Sequence, residues 1–305
     1  MLAGLLSLGP LLDGSSASSS WGVSDGASGV GESAVRVVAA AAVPGSAAES
    51  SAPVYLALGD SIAFGYSPLL NPADTPAFIG YPTAVGTGLS DSVVNAACPG
   101  ETSAGFISGT GFDLGCRPFR TDYGLHVPYA GTQLAFATAF LAAHSQTSLV
   151  TLGIGTNDLV RCVRASADEC ARELPATLAT YRSNLDTILQ DLRAVYSGQL
   201  VLVEAYSPSY NDTRLTDAFT SLDAVLDQEA RTYRARVAPV LAAFAGRAAL
   251  TAGNLCASGL LVETPNSCDI HPTAAGRDLL AATVAATARA GQDTLAAAAA
   301  SWGST

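Results

Sequence analysis

Ser61 stands in Gly59-Asp60-Ser61, directly after an apolar run at residues 54–58, and a second glycine follows at Gly65. The run is long enough for a buried strand and too short for a helix. A glycine after it permits a tight turn that a side chain would block. The turn leaves Ser61 just past the carboxyl end of a strand, where open α/β sheets place their ligand crevices. A serine there is a candidate nucleophile if a base can reach it. The same residues would also serve an ordinary polar turn capping a helix, because Asp and Ser are common N-caps.

Attack by a serine on an ester needs a base and donors for the oxyanion as well. The chain has three histidines. His144 falls at the end of an expected helix, where it caps or faces solvent. His126 lies in a long loop before Val127-Pro128. His271 precedes Pro272 and a helix start, after the last expected strand, so its loop can approach the carboxyl edge of a sheet. Gly100 and Asn157 are the candidate donors. The bare backbone of Gly100 lets an N–H come close to a substrate, and the Asn157 amide can donate two hydrogen bonds. The N–H of Ser61 is a third donor. Taken singly, Gly100 could be a proline–glycine turn and Asn157 a helix cap. Jointly, all four residues follow the ends of different expected elements at one sheet edge.

The elements that must bring them together are alternating strands and helices. Strands are predicted at 54–58, 93–97, 149–152, 200–203 and 248–250. Helices are predicted at 82–89 and 131–144, along the three-and-four spacing of Leu178, Tyr181, Leu185, Ile188, Leu192 and Val195, from Phe219 to about Pro239, and at 273–290. Such alternation argues for a parallel sheet covered on both faces. Loops are expected at 67–82, with four prolines, and at 105–128, rich in glycine and aromatics. Loops that long are usually functional. Phe106, Phe112, Phe119, Tyr123 and Tyr129 suggest an apolar wall for a substrate pocket.

The chain has 305 residues with a formal net charge of −11; 49% are hydrophobic and 13% charged. Residues 14–34 carry almost no large apolar groups and cannot offset their ordering entropy. Residues 1–51 therefore read as leader and linker, 52–291 as one domain, and 292–305 as an alanine-rich tail. A core of about 240 residues suits a single α/β domain. The acidic balance, with no Lys/Arg cluster, excludes nucleic acid as a partner and long-range attraction to anionic membranes. No run is long enough for stable insertion into a bilayer.

Six cysteines form three locally spaced pairs. There is no C-x-x-C and no histidine spacing for a zinc site. An even count fits three disulfides and an oxidising compartment. The sequential pairing, Cys98–Cys116, Cys162–Cys170 and Cys256–Cys268, is favoured because each pair brackets one loop. Residues 2–12 resemble the apolar part of an export signal, although no basic residue precedes them and the first is Arg36. Secretion is expected mainly from the cysteines.

Gly59-Asp60-Ser61, Gly100, Gly155-Thr156-Asn157-Asp158 and His271-Pro272 occur in the order of the SGNH (GDSL) hydrolase family, which the chain resembles over residues 54–285. It looks like a secreted, actinobacterial-type esterase or lipase. The resemblance implies a flavodoxin-like three-layer α/β/α sandwich, with a parallel sheet of about five strands, acting on ester or lipid substrates without a metal or other cofactor. It also implies Ser61 as nucleophile, His271 as base, and Ser61, Gly100 and Asn157 as the oxyanion hole. The family usually places Asp three residues before the histidine, where this chain has Cys268. Asp269 is two residues before His271, on another side of an extended segment than the position three before. The expectation is therefore a Ser–His dyad whose ring is oriented by the Cys268 main-chain carbonyl, with Asp269 as the alternative. Asp60 and Asp158 are read as braces of their turns; Glu101 and Arg161 receive no role. An acyltransferase would use the same residues with another acceptor. A non-catalytic binding protein could keep the fold, since fold alone does not prove activity.

Overall fold

The computed structural model describes residues 52–265 and 267–302; the expected leader and linker, and the last three residues, lie outside them. Strands β1 (Val54–Gly59), β2 (Ser92–Asn95), β3 (Thr147–Gly153), β4 (Gln199–Val203) and β5 (Arg236–Ala238) pair in parallel in the order β2-β1-β3-β4-β5. This is the flavodoxin-like order, whose ligand crevice lies where the chain reverses direction across the sheet, beside β1 and β3. Helices α1 (Ser61–Phe64), α2 (Tyr81–Leu89), α3 (Ser103–Ile107), α4 (Cys116–Asp122) and α5 (Gln133–Ala143) precede or flank β3. Helices α6 (Thr156–Ala165), α7 (Leu174–Val195), α8 (Thr213–Thr232) and α9 (Val240–Ala248) follow it. A two-stranded antiparallel hairpin, β6 (Leu261–Thr264) and β7 (Ser267–Pro272), leads into the last helix, α10 (Ala274–Trp302).

The strands are apolar on both sides because each side faces helices. Alternate residues point to opposite faces. Tyr55, Ala57, Val201 and Val203 share a core with Tyr81 and Val85 of α2, Phe244 of α9, and Leu280 and Val284 of α10. Leu56, Leu58, Leu200 and Leu202 pack with Leu134 of α5, Leu185 and Ile188 of α7, and Leu226 of α8. The result is three layers, helix–sheet–helix.

The structure departs from the sequence-based expectation in several places. The long helix expected to reach Pro239 stops at Thr232, and Arg234 takes φ +51° to reverse the chain. Val237, whose spacing continued the helical pattern, belongs instead to the edge strand β5. The stretch expected as strand five, 248–250, is the end of α9 and a short 3₁₀ turn, with Leu250 exposed. The long loop at 105–128 contains the end of α3 and all of α4, and the β6–β7 hairpin was not expected. Helix α10 continues from the expected 273–290 to Trp302, in keeping with the strong helix propensity of alanine. Among the described residues, no helix is long and apolar enough to cross a membrane. The cysteines pair sequentially as Cys98–Cys116, Cys162–Cys170 and Cys256–Cys268.

Candidate active site

Ser61 is carried past the end of β1 by a turn with little freedom. Gly59 has φ +142°, and a Cβ on it would collide with the Gly153 carbonyl oxygen of the neighbouring strand β3. Asp60 caps α1 by accepting the Ile62 N–H at 2.9 Å. Burial pushes the Asp60 carboxyl up to about 7, with the nearby charge of Asp158 adding to the effect. Asp60 is thus a buried N-cap, and Ser61 is the first residue of α1, nearly buried.

His271 arrives from the hairpin. Its Nε2 lies 3.0 Å from Ser61 Oγ, although 210 positions separate the two residues in sequence. Its Nδ1 lies 2.5 Å from Asp269 Oδ1, and its backbone N–H donates to the same oxygen at 2.9 Å. The bond at Nδ1 therefore goes to the Asp269 carboxylate, which replaces the main-chain carbonyl of Cys268 expected from the sequence. The reason is the strand: in β7, residues two apart share a face, and Asp269 and His271 are both fully buried on it. A carboxylate at Nδ1–H leaves the Nε2 lone pair facing the serine hydroxyl. The Tyr66 ring stands edge-on to the imidazole, 4.8 Å between centroids, and Tyr206 donates to the Ile270 carbonyl at 2.5 Å, bracing β7 from behind.

The other candidate donors follow β2 and β3, the two strands that flank β1. Gly100 has φ +81°, and a Cβ there would lie 2.6 Å from the Leu114 carbonyl oxygen. Its own carbonyl accepts the Leu114 N–H at 2.7 Å. Asn157 lies in the first turn of α6 and is buried; its Nδ2 donates to the Glu101 carbonyl at 2.8 Å, leaving the second amide hydrogen for another acceptor. Asp158, raised by burial, accepts from the Ser103 hydroxyl at 2.5 Å and from the Ser103 N–H at 2.9 Å, tying α6 to α3.

His126 and His144 lie elsewhere. The first hydrogen-bonds the Phe64 carbonyl at 3.0 Å and stacks on the Phe64 ring. The second bonds the Phe140 carbonyl at 2.8 Å and stacks on Phe140 at the end of α5. Of the expected aromatic wall, Phe106 and Phe119 are core residues. Phe119 packs against Phe64 and Tyr66, and Phe112 is exposed beneath the guanidinium of Arg161. Tyr66, which no motif marked, is the aromatic that touches the imidazole.

Among the described residues, Cys98, Glu101 and Cys116 have the spacing of a metal cluster. Their two sulfurs are bonded to each other, so neither offers a thiolate. Two buried groups that sequence reasoning passed over stand here. Gln133 accepts the Gly59 N–H at 2.6 Å and donates to the Gly59 carbonyl at 3.0 Å. Glu101 is nearly fully buried, and its carboxyl is pushed up to about 8, first by burial and then by the charge of Asp113.

The family model for the GDSL-like lipase/acylhydrolase family matches residues 57–279. No curated protein matches significantly. Among solved structures, the chain is similar to an extracellular lipase from Streptomyces rimosus, with TM-score 0.54 and 19% identity over 77% of this chain and 100% of that one. It is similar to a phospholipase A1 from Streptomyces albidoflavus, with TM-score 0.52 and 21% identity over 78% and 100%. It is also similar to an acetylxylan esterase from Geobacillus stearothermophilus, solved as a catalytic mutant, with TM-score 0.51 and 17% identity over 77% and 94%. At these identities the likeness establishes the fold.

Proposed function

This chain belongs to the GDSL-like lipase/acylhydrolase family, and we propose that Ser61, His271 and Asp269 act in it as a catalytic triad hydrolysing carboxylic esters through an acyl-enzyme. The observation that carries the reading is the line of contacts from Asp269 through His271 to Ser61, at 2.5 and 3.0 Å. The membership itself supports ester hydrolysis in general.

The proposed cycle follows from the geometry. As Ser61 Oγ attacks the ester carbonyl carbon, its proton passes to His271 Nε2. The carbonyl oxygen becomes an oxyanion held by the N–H groups of Ser61 and Gly100 and by the second amide hydrogen of Asn157. His271 then returns the proton to the departing alcohol oxygen, leaving the acyl group on Ser61. Water, deprotonated by the same nitrogen, attacks the acyl carbon; the bond to Ser61 Oγ breaks, Oγ takes the proton back from Nε2, and the acid is freed. Asp269 keeps the ring in the tautomer with hydrogen on Nδ1 and stabilises the imidazolium formed in each half-cycle. Three disulfides support an oxidising, extracytoplasmic setting for the enzyme.

A fluorophosphonate probe tests the nucleophile. Folded protein is expected to lose ester turnover as the probe labels Ser61, read by peptide mass spectrometry, and Ser61→Ala is expected to abolish both. Folded protein that neither turns over nitrophenyl esters nor takes the label would overturn the reading. A chain-length series of the same esters then defines the acyl group accepted.

A further inference from the structure

We infer that Glu101 and Gln133 are positioning residues, a buried polar tie that fixes the spacing between the nucleophile turn and the oxyanion donors. The inference rests on the triad reading above and concerns residues that touch neither substrate nor the reacting atoms.

Gln133 opens α5, and its side chain is fully buried. Its amide closes a ring of two hydrogen bonds with the backbone of one residue: Oε1 accepts the Gly59 N–H at 2.6 Å and Nε2 donates to the Gly59 carbonyl at 3.0 Å. Gly59 stands two residues before Ser61. Only a primary amide supplies an acceptor and a donor at these two places; a carboxylate only accepts and a thioether does neither well. The clamp therefore holds the last residue of β1 in register with an element outside the sheet.

Glu101 follows Gly100 directly, and its two ends do different things. Its main-chain carbonyl receives Asn157 Nδ2 at 2.8 Å, which aims the amide proposed for the oxyanion. Its carboxyl lies 3.3 Å from Cys116 Sγ, close enough to the Gln133 amide for that amide to favour its charged form. A disulfide sulfur has no hydrogen to give, so a donor across that contact must be the protonated acid. Gly105 makes room: a Cβ there would collide with Glu101 Oε1. Gln133 thus holds the end of β1, and Glu101 links the segments that follow β2 and β3, with the Cys98–Cys116 bridge against its carboxyl. An error of about 1 Å in such an arrangement can cost about 10²-fold in rate.

The charged and titratable groups facing Glu101 are Asp113, Arg117, Arg120 and Tyr129. Burial and Asp113 favour the neutral acid, and Arg120, the Gln133 amide and Arg117 oppose them less strongly. Ionisation would place a charge against the disulfide and Asp113 and remove the acid's hydrogen, which loosens the Gly100 loop even though the Gln133 amide favours the charged form.

The test uses the full chain, steady-state hydrolysis of nitrophenyl acetate and the rate of fluorophosphonate labelling. Gln133→Met keeps the volume and removes both hydrogen bonds. It is expected to lower kcat and the labelling rate by about 10- to 10²-fold, with KM little changed. Wild type is expected to lose kcat as pH rises through about 8. Glu101→Gln, which stays neutral, is expected to keep its kcat near neutral pH and to lack that alkaline loss. Residues that served stability alone would lower Tm and leave the pH profile unmoved. An active wild type with unchanged kcat in Gln133→Met overturns the inference. If Gln133→Met does not fold, an alkaline loss that persists in Glu101→Gln does so. A wild type inert to both ester and probe defeats the triad reading instead.

Discussion

Ser61 and Asn157 leave the sheet on β1 and β3, two central strands paired along six positions of β1 and covered by helices on both faces. Gly100 and the Asp269–His271 pair ride on lighter scaffolds. Gly100 follows β2, a four-residue edge strand, and His271 lies on a two-stranded hairpin separate from the main sheet. An isolated hairpin is marginal in water. These lighter segments are the ones carrying cross-links at the site: Cys98–Cys116 spans the Gly100 loop, and Cys256–Cys268 anchors the hairpin next to Asp269. The third bridge, Cys162–Cys170, ties the connection between α6 and α7, which carries none of the proposed catalytic groups. Pairing within the main sheet fixes one half of the proposed reaction centre, and disulfides brace the other, equally buried half.

If the lighter half is part of the machinery, its innermost residue must matter most. Asp269→Asn keeps the shape of the hairpin, removes the charge beside the imidazole, and sets an amide donor that can face Nδ1 and favour the wrong tautomer. A loss of kcat of about 10³- to 10⁴-fold is expected with little change in KM, measured on a soluble nitrophenyl ester. A loss below about tenfold would return the orienting role to a main-chain carbonyl, as the sequence suggested, and would make the hairpin a carrier of His271 alone.

Removing the bridges one at a time compares the two halves directly. Loss of any bridge is expected to cost about 2–4 kcal/mol of stability, read by denaturant unfolding. Only two losses are expected to reach kcat as well. The paired substitution Cys256→Ser and Cys268→Ser frees the strand that aims His271, and Cys98→Ser with Cys116→Ser frees the loop of Gly100. Each is expected to lower kcat by about tenfold or more, the scale of a slightly misplaced group. Cys162→Ser with Cys170→Ser should lower stability while kcat stays within about twofold of wild type. Equal kcat losses for all three bridges would erase the distinction between the halves.

The half built on the main sheet is the half legible in the sequence. Runs such as Leu56–Leu58 and Leu200–Val203 announce buried strands by composition alone, and the spacing from Tyr181 to Leu192 announces α7. Ser61, Gly100, Asn157 and His271 were legible as an ordered set because each sits beside a turn residue at an element end. The lighter half was misread where its short strands carry no pattern. Asp269 sits one position off the family spacing, which argues against its reaching the ring; in β7 it shares the face of His271, because residues two apart on a strand point the same way. Three residues, Arg236–Ala238, are too few to interrupt the helical spacing that ran through Val237. Glu101 and Gln133 left no local signal at all, because their partners, Asn157 and Gly59, lie 56 and 74 positions away.

The smallest expected effect on turnover comes with a pH dependence of stability, whose sign is set by buried carboxyls in both halves. Burial raises Asp60 to about 7 on the β1 side and Glu101 to about 8 on the Gly100 side. It also raises Asp223 to about 8, where that carboxylate accepts the Ala205 N–H away from the catalytic groups. In the unfolded chain such acids titrate near pH 4. Between that value and about 7 or 8 the native protein therefore holds more protons than the unfolded one, so stability falls as pH rises across the window. Below about 4 both states are protonated and the contribution is complete; above about 8 both are ionised and the fall levels off. Each acid adds a slope on the order of 1 kcal/mol per pH unit within its window, measurable as a drift of the urea midpoint. Asp60→Asn should flatten the part of the curve that ends near 7, and Glu101→Gln the part that ends near 8. Because only Glu101 also links the segments that follow β2 and β3, Glu101→Gln should remove the alkaline loss of kcat along with its share of the slope. Asp223→Asn should change the slope alone. A stability that instead rises from pH 4 to 8 would show that these acids are ionised in the fold, and the neutral tie through Glu101 would go with it.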